Sequence, residues 1–340
     1  MFAVSQIIER NLHRIKPGGT VLWINPETDD CWRALNPRCK SLKLFSQDRG
    51  CYASLQRTGV DIEFSAFPDT RVRYDRVIVN LPRQKALLAM LLDCAADLLA
   101  EDGVLWLAGE NKAGIKSADK LLKLHFTQIR KVDNARHCSL YEATTRLNQD
   151  RFNPLNYRHH WVMDCADSEI QVLSYPGVFA NGRLDDGTAL LLDTLAKLEL
   201  KGDVLDFACG AGLIGACIAT HHVHTRVTLL DTSALAVRSS KETLEANGLI
   251  AGVLASDGLT EVTGSFDLIV SNPPIHVGVK TDNRLGMRLL DSVHKHIRPG
   301  GQLIMVANIH LPYENWLSKR FKRFSELAVN ENYKVIVAKI

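Results

Sequence analysis

No long apolar run is present in this sequence. The most apolar stretch, Ala86 to Ala100, is too short to span a bilayer and carries Asp93 and Asp97, so it predicts a buried helix and no membrane anchor. No two cysteines stand at C-x-x-C spacing. The eight, at 31, 39, 51, 94, 138, 165, 209 and 217, are irregularly placed, which argues against a zinc site or a disulfide framework. No metal is expected, and each thiol reads as a small buried apolar group. The beginning of the chain lacks the basic, apolar and small-residue succession of a secretion signal. A cytoplasmic protein with reduced thiols is the expectation.

Charge of one sign is also scarce. The net charge is +3, from 41 Lys+Arg and 38 Asp+Glu. Residues 1–150 hold 22 basic and 18 acidic side chains (+4), leaving 19 and 20 (−1) for the rest, so the small basic surplus lies in the first half. That balance mildly favours the first half as the one facing phosphates.

What is there is an order of elements that occurs twice. In the second half, Gly202–Val204–Leu205–Asp206 opens an apolar run, followed later by Phe266–Asp267–Leu268–Ile269–Val270–Ser271–Asn272–Pro273–Pro274. A helix-like stretch (Leu289–Ile297), a Pro299–Gly300–Gly301 turn and the strand Gln302–Ala307 come next. The first half repeats the plan with Gly19–Asn25, then Tyr74–Pro82, a helix over Ala86–Leu99, a turn at Glu101–Gly103 and the strand Val104–Ala108. Short apolar runs alternating with helical patterns predict parallel strands with crossover helices. The fold class expected is therefore α/β: two tandem Rossmann-like domains, each a mostly parallel, seven-stranded type of sheet with an antiparallel end strand. The polar segment Gln149–His160 marks the boundary, giving domains 1–148 and 149–340, and Trp161–Val162 with Glu169–Leu173 predict a small hairpin. Near the C-terminus, Lys319–Phe324 reads as an amphipathic surface helix.

The halves differ where chemistry belongs. The second has a glycine-rich loop, Cys209–Gly210–Ala211–Gly212; the first has Pro26–Glu27–Thr28–Asp29–Asp30 and no glycine. A loop that brings backbone N–H groups to a cofactor needs residues without Cβ, so no cofactor is expected in the first half, which reads as an RNA-recognition or scaffold module. Gly210-x-Gly212-x-x-Gly215 with Asp231 downstream also matches a dinucleotide fingerprint. Against a nicotinamide enzyme stand Asp206, a carboxylate unfavourable beside a pyrophosphate but suited to the amino group of a methionine moiety, and the Asn272–Pro273–Pro274 segment, which hydride transfer does not require. These features point to S-adenosylmethionine, with Asp231 as acceptor for the ribose hydroxyls and Asp257 for the adenine amino group. They identify methyl transfer to a planar amine. The side-chain oxygen of Asn272 and the carbonyl of Pro273, held by Pro273 and Pro274, would accept its N–H groups.

The segments VLDFACGAG, LLDTSALAV and FDLIVSNPPIHVG, with the tandem layout, resemble the bacterial small-subunit rRNA guanine-N2 methyltransferases. GENKAGIKSADKLL and KVDNARHCSLYEA resemble that family too, as does PGVFANGRLDDG. The resemblance covers almost the whole chain. It implies two tandem class I methyltransferase domains, the first degenerate, and a guanine of 16S rRNA in the small ribosomal subunit as substrate. It also implies that Phe179 and Asp185 border the cofactor. The family pattern continues Asn-Pro-Pro with an aromatic that stacks on the base; here Ile275 stands there, leaving stacking to Phe179 or His276. Adenine-N6 and protein-glutamine methylation share Asn-Pro-Pro, and a catalytically silent RNA-binding assembly factor is the alternative of another class. A monomer is expected because the duplication already supplies two domains.

Overall fold

A computed structural model of the chain describes residues 1–147, 150–165, 167–179, 182–273, 292–311 and 313–340. Two compact units are present, Met1–Arg158 and His159–Ile340. The first extends past the 148/149 division because its last residues are tied to its own helix. Asp97 accepts the Phe152 N–H at 3.2 Å and pairs with Arg151 at 3.4 Å, while the Tyr157 hydroxyl donates to Asp93 at 2.9 Å.

The first unit contains α1 (Ala3–Arg10), β1 (Gly19–Ile24), α2 (Cys31–Leu35), β2 (Cys39–Ser46), α3 (Arg49–Gln56) and β3 (Ile62–Phe64). It continues with β4 (Tyr74–Asn80), α4 (Lys85–Leu98), β5 (Leu99–Glu110), α5 (Asp119–Leu122), β6 (Phe126–Ala135) and β7 (Cys138–Arg146). The second opens with the hairpin β8 (His159–Cys165) and β9 (Ser168–Ser174), as the alternation at Trp161 and Glu169–Leu173 predicts. Then come α6 (Asp186–Leu195), β10 (Gly202–Phe207), α7 (Leu213–His221), β11 (Thr225–Asp231), α8 (Ala234–Ala246), β12 (Gly252–Ala255) and β13 (Phe266–Ser271). It ends with β14 (Ile297–Asn308), α9 (Tyr313–Leu317), β15 (Arg323–Val329) and β16 (Tyr333–Lys339).

The sheets run β3-β2-β1-β4-β5-β7-β6 and β12-β11-β10-β13-β14-β16-β15, one topology used twice. In the second, β10 lies parallel to β11 and β13, and the closing strand β16 enters antiparallel between β14 and β15. Two core layers cover its faces, one around Val204, Val270 and α7, the other around Leu205, Phe207 and Ile269. The expected helix at Lys319–Phe324 is absent: this segment leads into β15, with Phe321 buried and Arg323–Phe324 paired to β16. β15 has almost no buried face, so a strand alternation never shows in its sequence. Its charges suit an edge strand.

Register makes the duplication specific. β1 against β4 sets Trp23 opposite Ile78, and β10 against β13 sets Asp206 opposite Val270, so Trp23 occupies the place of Asp206 and Asn80 that of Asn272. Asp75 accepts the Thr20 N–H at 2.7 Å as Asp267 accepts that of Asp203 at 2.7 Å. Asn25 and Ala208, each directly after its strand, both adopt left-handed backbone, φ 51° and 59°. In the first unit the Trp23 indole is wholly buried and donates to Asn80 Oδ1 at 2.9 Å.

Trp23→Phe keeps an aromatic ring, smaller than the indole, and leaves a buried amide oxygen without its donor. The first unit is expected to lose about 1–3 kcal/mol in urea denaturation followed by circular dichroism. An unchanged midpoint would show that the indole N–H contributes nothing.

Candidate active site

The site begins at the end of β10, where the chain must turn from strand into helix α7. Ala208, Gly210 and Gly212 all hold positive φ (59°, 55° and 82°), a geometry in which a side chain costs energy. The Gly212 N–H closes the turn on the Cys209 carbonyl at 2.8 Å. A Cβ on Gly212 would lie 3.0 Å from the Ser240 backbone, and one on Gly215 only 2.7 Å from Leu229. These two glycines therefore let α7 and α8 pack close to the sheet. Gly210 alone of the three glycines has room for a Cβ, which would make ordinary contact with Phe179 at 3.8 Å and Val178 at 3.9 Å. Ser240 ties the loop down from α8: its hydroxyl donates to the Gly210 carbonyl at 3.0 Å and contacts the Cys209 sulfur at 3.2 Å.

A cavity of about 250 Å³ opens above this loop. Its wall includes Phe179, Asp185, Gly210, Asp231, Asn272 and Pro273, brought together from segments remote in sequence. A smaller recess of about 40 Å³ shares Phe179, Asp185, Gly210 and Asn272 and adds Cys209 and Thr188. Asp231, at the end of β11, is fixed by backbone donors: its Oδ2 accepts the Gly210 N–H at 3.0 Å and its Oδ1 that of Ser233 at 2.9 Å. Burial pushes the Cys209 thiol well above its ordinary value, which removes it as a nucleophile. Asp185 caps α6 by accepting the Thr188 N–H at 3.0 Å. Asn272, directly after β13, donates from Nδ2 to Asp185 Oδ2 at 3.0 Å and to Thr188 Oγ1 at 2.9 Å.

Three expected residues stand elsewhere. Asp206 is wholly buried under the loop and is not part of the cavity wall. Strand alternation points it, like Val204, into the layer beneath α7, where its Oδ2 accepts the Gly215 N–H at 2.9 Å. Its Oδ1 has no partner among the described residues. Gly212 serves the turn and the packing, as above. Asp257 lies outside the wall, its N–H given to Glu261 at 3.0 Å. Pro274, Ile275 and His276 lie outside the described residues. The walls also hold Thr188, Ser233, Asn308, Tyr313 and Tyr333, which no motif in the sequence points to as site residues. Thr188 and Ser233 carry only helix-cap signals, Thr188 three residues after the capping Asp185 and Ser233 as the N-cap of α8. Among the described residues no helix is long and apolar enough to cross a membrane, and no cluster of ligating side chains could hold a metal.

The methyltransferase small domain family matches residues 169–337, and the methyltransferase small domain N-terminal family residues 5–161. A ribosomal RNA small subunit methyltransferase C of Shewanella amazonensis is 37% identical over 337 residues, 98% of each chain. That of Pseudomonas entomophila is 44% identical over 243 residues, 72% of each chain. Among solved structures, a T. thermophilus 16S rRNA N2-guanine methyltransferase (RsmC) in complex with AdoMet and guanosine superposes with a TM-score of 0.89. It is 25% identical, and the match covers 99% of this chain and 92% of that one.

Burial pushes the Asp206 carboxyl up to about 7 from an ordinary 3.8. Folding thus raises its pKa, so its contribution to stability is whole below about 3.8 and is lost as pH rises through about 7. The ligand-free protein is expected to lose on the order of a few kcal/mol across that window relative to Asp206→Asn, which keeps an acceptor for Gly215 but cannot ionise. Chemical denaturation of both proteins from pH 4.5 to 8.5 measures the difference. Parallel curves would mean that Asp206 titrates normally.

Proposed function

The chain belongs to the ribosomal RNA small subunit methyltransferase C family, and on that premise we propose that it methylates the 2-amino group of a guanine in 16S rRNA, using S-adenosylmethionine. The observation that carries the proposal is the placement of Asn272 on the wall of the cavity above the Gly210 loop, its two N–H bonds already committed within the protein.

The residues present fit the cofactor. Gly210 leaves room over the loop, and Asp231 is held at the wall where an acceptor for ribose hydroxyls is wanted. Asp206 lies buried beneath the turn, its Oδ2 on the Gly215 N–H and its Oδ1 without a partner among the described residues, and that placement supports a role in holding the loop that receives the methionine end. When bound, the cofactor supplies an electrophilic methyl group on a sulfonium.

The rest of the reaction falls to the protein's own groups. The guanine 2-amino group is a weak nucleophile because its lone pair is delocalised into the ring. Asn272 Oδ1 accepts one of its N–H bonds and the Pro273 carbonyl the other, which turns the nitrogen toward tetrahedral geometry and aims its lone pair at the cavity. The nitrogen would become cationic and acidic as the N–C bond forms and the methyl–sulfur bond breaks to leave a neutral thioether, and its proton would pass to water, so no strong base is required. The gain comes from positioning and from dipoles fixed in advance. Phe179, 46% exposed at the cavity wall, is an aromatic able to cover the flat face of the base where the family's usual aromatic is replaced by Ile275. A base inside a helix hides its amino group, so the target must be unpaired or turned out.

The first unit is read as a degenerate domain without cofactor, serving RNA recognition or as scaffold: Trp23 stands where the second unit has Asp206, and the corresponding loop has no glycine. A monomeric, cytoplasmic enzyme with the small ribosomal subunit as its partner completes the proposal.

Tritiated-methyl transfer to naked 16S rRNA, small subunits and large subunits, followed by nucleoside mapping, tests it. N2-methylguanine should form on 16S rRNA only. Asn272→Ala should lower turnover by about two orders of magnitude and leave cofactor affinity within roughly a few-fold. Label in adenine or in protein would replace this reading, and unchanged turnover would remove Asn272 from the mechanism.

A further inference from the structure

An asparagine amide has two different ends, and a methyl acceptor that is an amine can use only one of them. The oxygen accepts the amine's N–H, whereas the amide nitrogen would oppose it with hydrogens of its own. Rotating the amide by half a turn about its last bond exchanges the ends with almost no change of shape. A site that relies on the oxygen therefore needs something to hold the other end. We propose that Asp185 and Thr188 are positioning residues that lock the Asn272 amide with its oxygen toward the substrate, and that they act on the reaction only through Asn272. This inference rests on the methyltransferase reading of the site and adds to it the groups that set the polarity of its central amide.

The geometry is direct. Asp185 Oδ2 lies 3.0 Å from Asn272 Nδ2, and a carboxylate can only accept, so the amide must present N–H to it. Thr188 Oγ1 takes the second N–H at 2.9 Å and stands 3.4 Å from the same carboxylate oxygen, to which its own proton can go. Both amide hydrogens are then spent, and among the described residues Oδ1 has no partner. Asp185 is itself fixed, because it caps α6 through the Thr188 N–H at 3.0 Å. The N-terminal end of a helix also stabilises its negative charge. The lock is therefore anchored to a helix packed on the same sheet and not to a mobile side chain.

The first unit supplies a control within the same chain. Asn80 holds the equivalent position at the end of the matching strand, but there Trp23 Nε1 donates to its oxygen at 2.9 Å and its buried Nδ2 has no partner among the described residues. At the position matching Asp185 stands Phe2, which caps α1 with no side-chain bond. Where the carboxylate is missing, nothing holds the amide nitrogen among the described residues, and the amide oxygen is consumed by the protein.

The test uses the full chain and two variants that keep the helix cap. Asp185→Ser retains a capping oxygen but is too short to reach Asn272; Thr188→Val removes the second acceptor and leaves Asp185 in place. Each is expected to lower kcat, by about 10- to 100-fold for Asp185→Ser and roughly several-fold for Thr188→Val, with KM for the RNA nearly unchanged. Thr188→Ser should restore activity. In an Asn272→Ala background, Asp185→Ser should cost almost nothing more, since there is no amide left to orient. Full additivity in that cycle, or a loss confined to cofactor affinity, would overturn the proposal.

A second readout needs no turnover at all. In nitrogen-15 spectra the Asn272 side-chain NH2 pair, identified by its disappearance in Asn272→Ala, should be protected from solvent exchange in the native chain and lose that protection in Asp185→Ser. An unprotected pair in the native chain would refute the lock whatever the substrate proves to be. A protected pair in a chain that methylates no RNA would refute the functional reading and leave the lock standing.

Discussion

Everything at the site hangs from the way β10 gives way to α7. The strand delivers a carboxylate, Asp206, into the dry layer beneath the helix, and that carboxylate accepts the Gly215 N–H. A helix leaves its first N–H groups without partners inside itself, so a buried acceptor there both satisfies a donor and fixes where the helix starts. With α7 pinned and Gly212 and Gly215 drawing it against Leu229, the intervening loop has one path left, through three residues at positive φ. The cavity is the space which that path leaves open. Its remaining wall comes from the ends of β11 and β13, which the parallel register with β10 delivers at the same level.

The second constraint is electrostatic. Asp231, Asp185 and Asn272 each spend hydrogen bonds on the backbone or on one another before any ligand arrives. Groups committed in this way cannot reorient when charge develops, which is the condition for dipoles to lower a barrier instead of following it. The arrangement also explains why a loop so rich in positive φ does not collapse. Ser240 grips its carbonyl from α8, and Asp231 grips its N–H from the strand alongside.

Much of this was legible in the residues, for identifiable reasons. Parallel strands buried on both faces write themselves as apolar runs such as Leu268–Val270, and the double occurrence of one element order announced two sheets of one topology. The residues at strand ends, Gly210, Asp231 and Asn272, were readable as neighbours because in such a sheet strand ends converge. Direction was harder. Asp206 reads from the sequence as a partner for a methionine amino group, and alternation along β10 sets it with Val204 and apart from Leu205 and Phe207, beneath the loop. Asp257 follows a strand of the same sheet but does not line the cavity, and its backbone N–H goes to Glu261. Thr188 as a partner of Asn272 was out of reach, since 84 residues separate them and no local pattern records the contact. The edge strand β15 escaped because exposure on nearly all sides erases its periodicity.

The two units show what an active site asks of its fold. At one and the same position, the first unit buries an indole whose N–H is satisfied by Asn80, and the second buries a carboxyl with one oxygen unpartnered among the described residues. An indole fills volume and closes its own hydrogen bond, whereas a dry carboxylate with a vacant oxygen is expensive unless something compensates it. Natural folds keep such groups where function needs them and drop them where it does not. The exchange at Trp23 and Asp206 is that choice made twice on one backbone, and it follows the glycines. Where Gly210 and Gly212 open the loop the costly carboxyl stays, and where they are absent an aromatic core has taken its place.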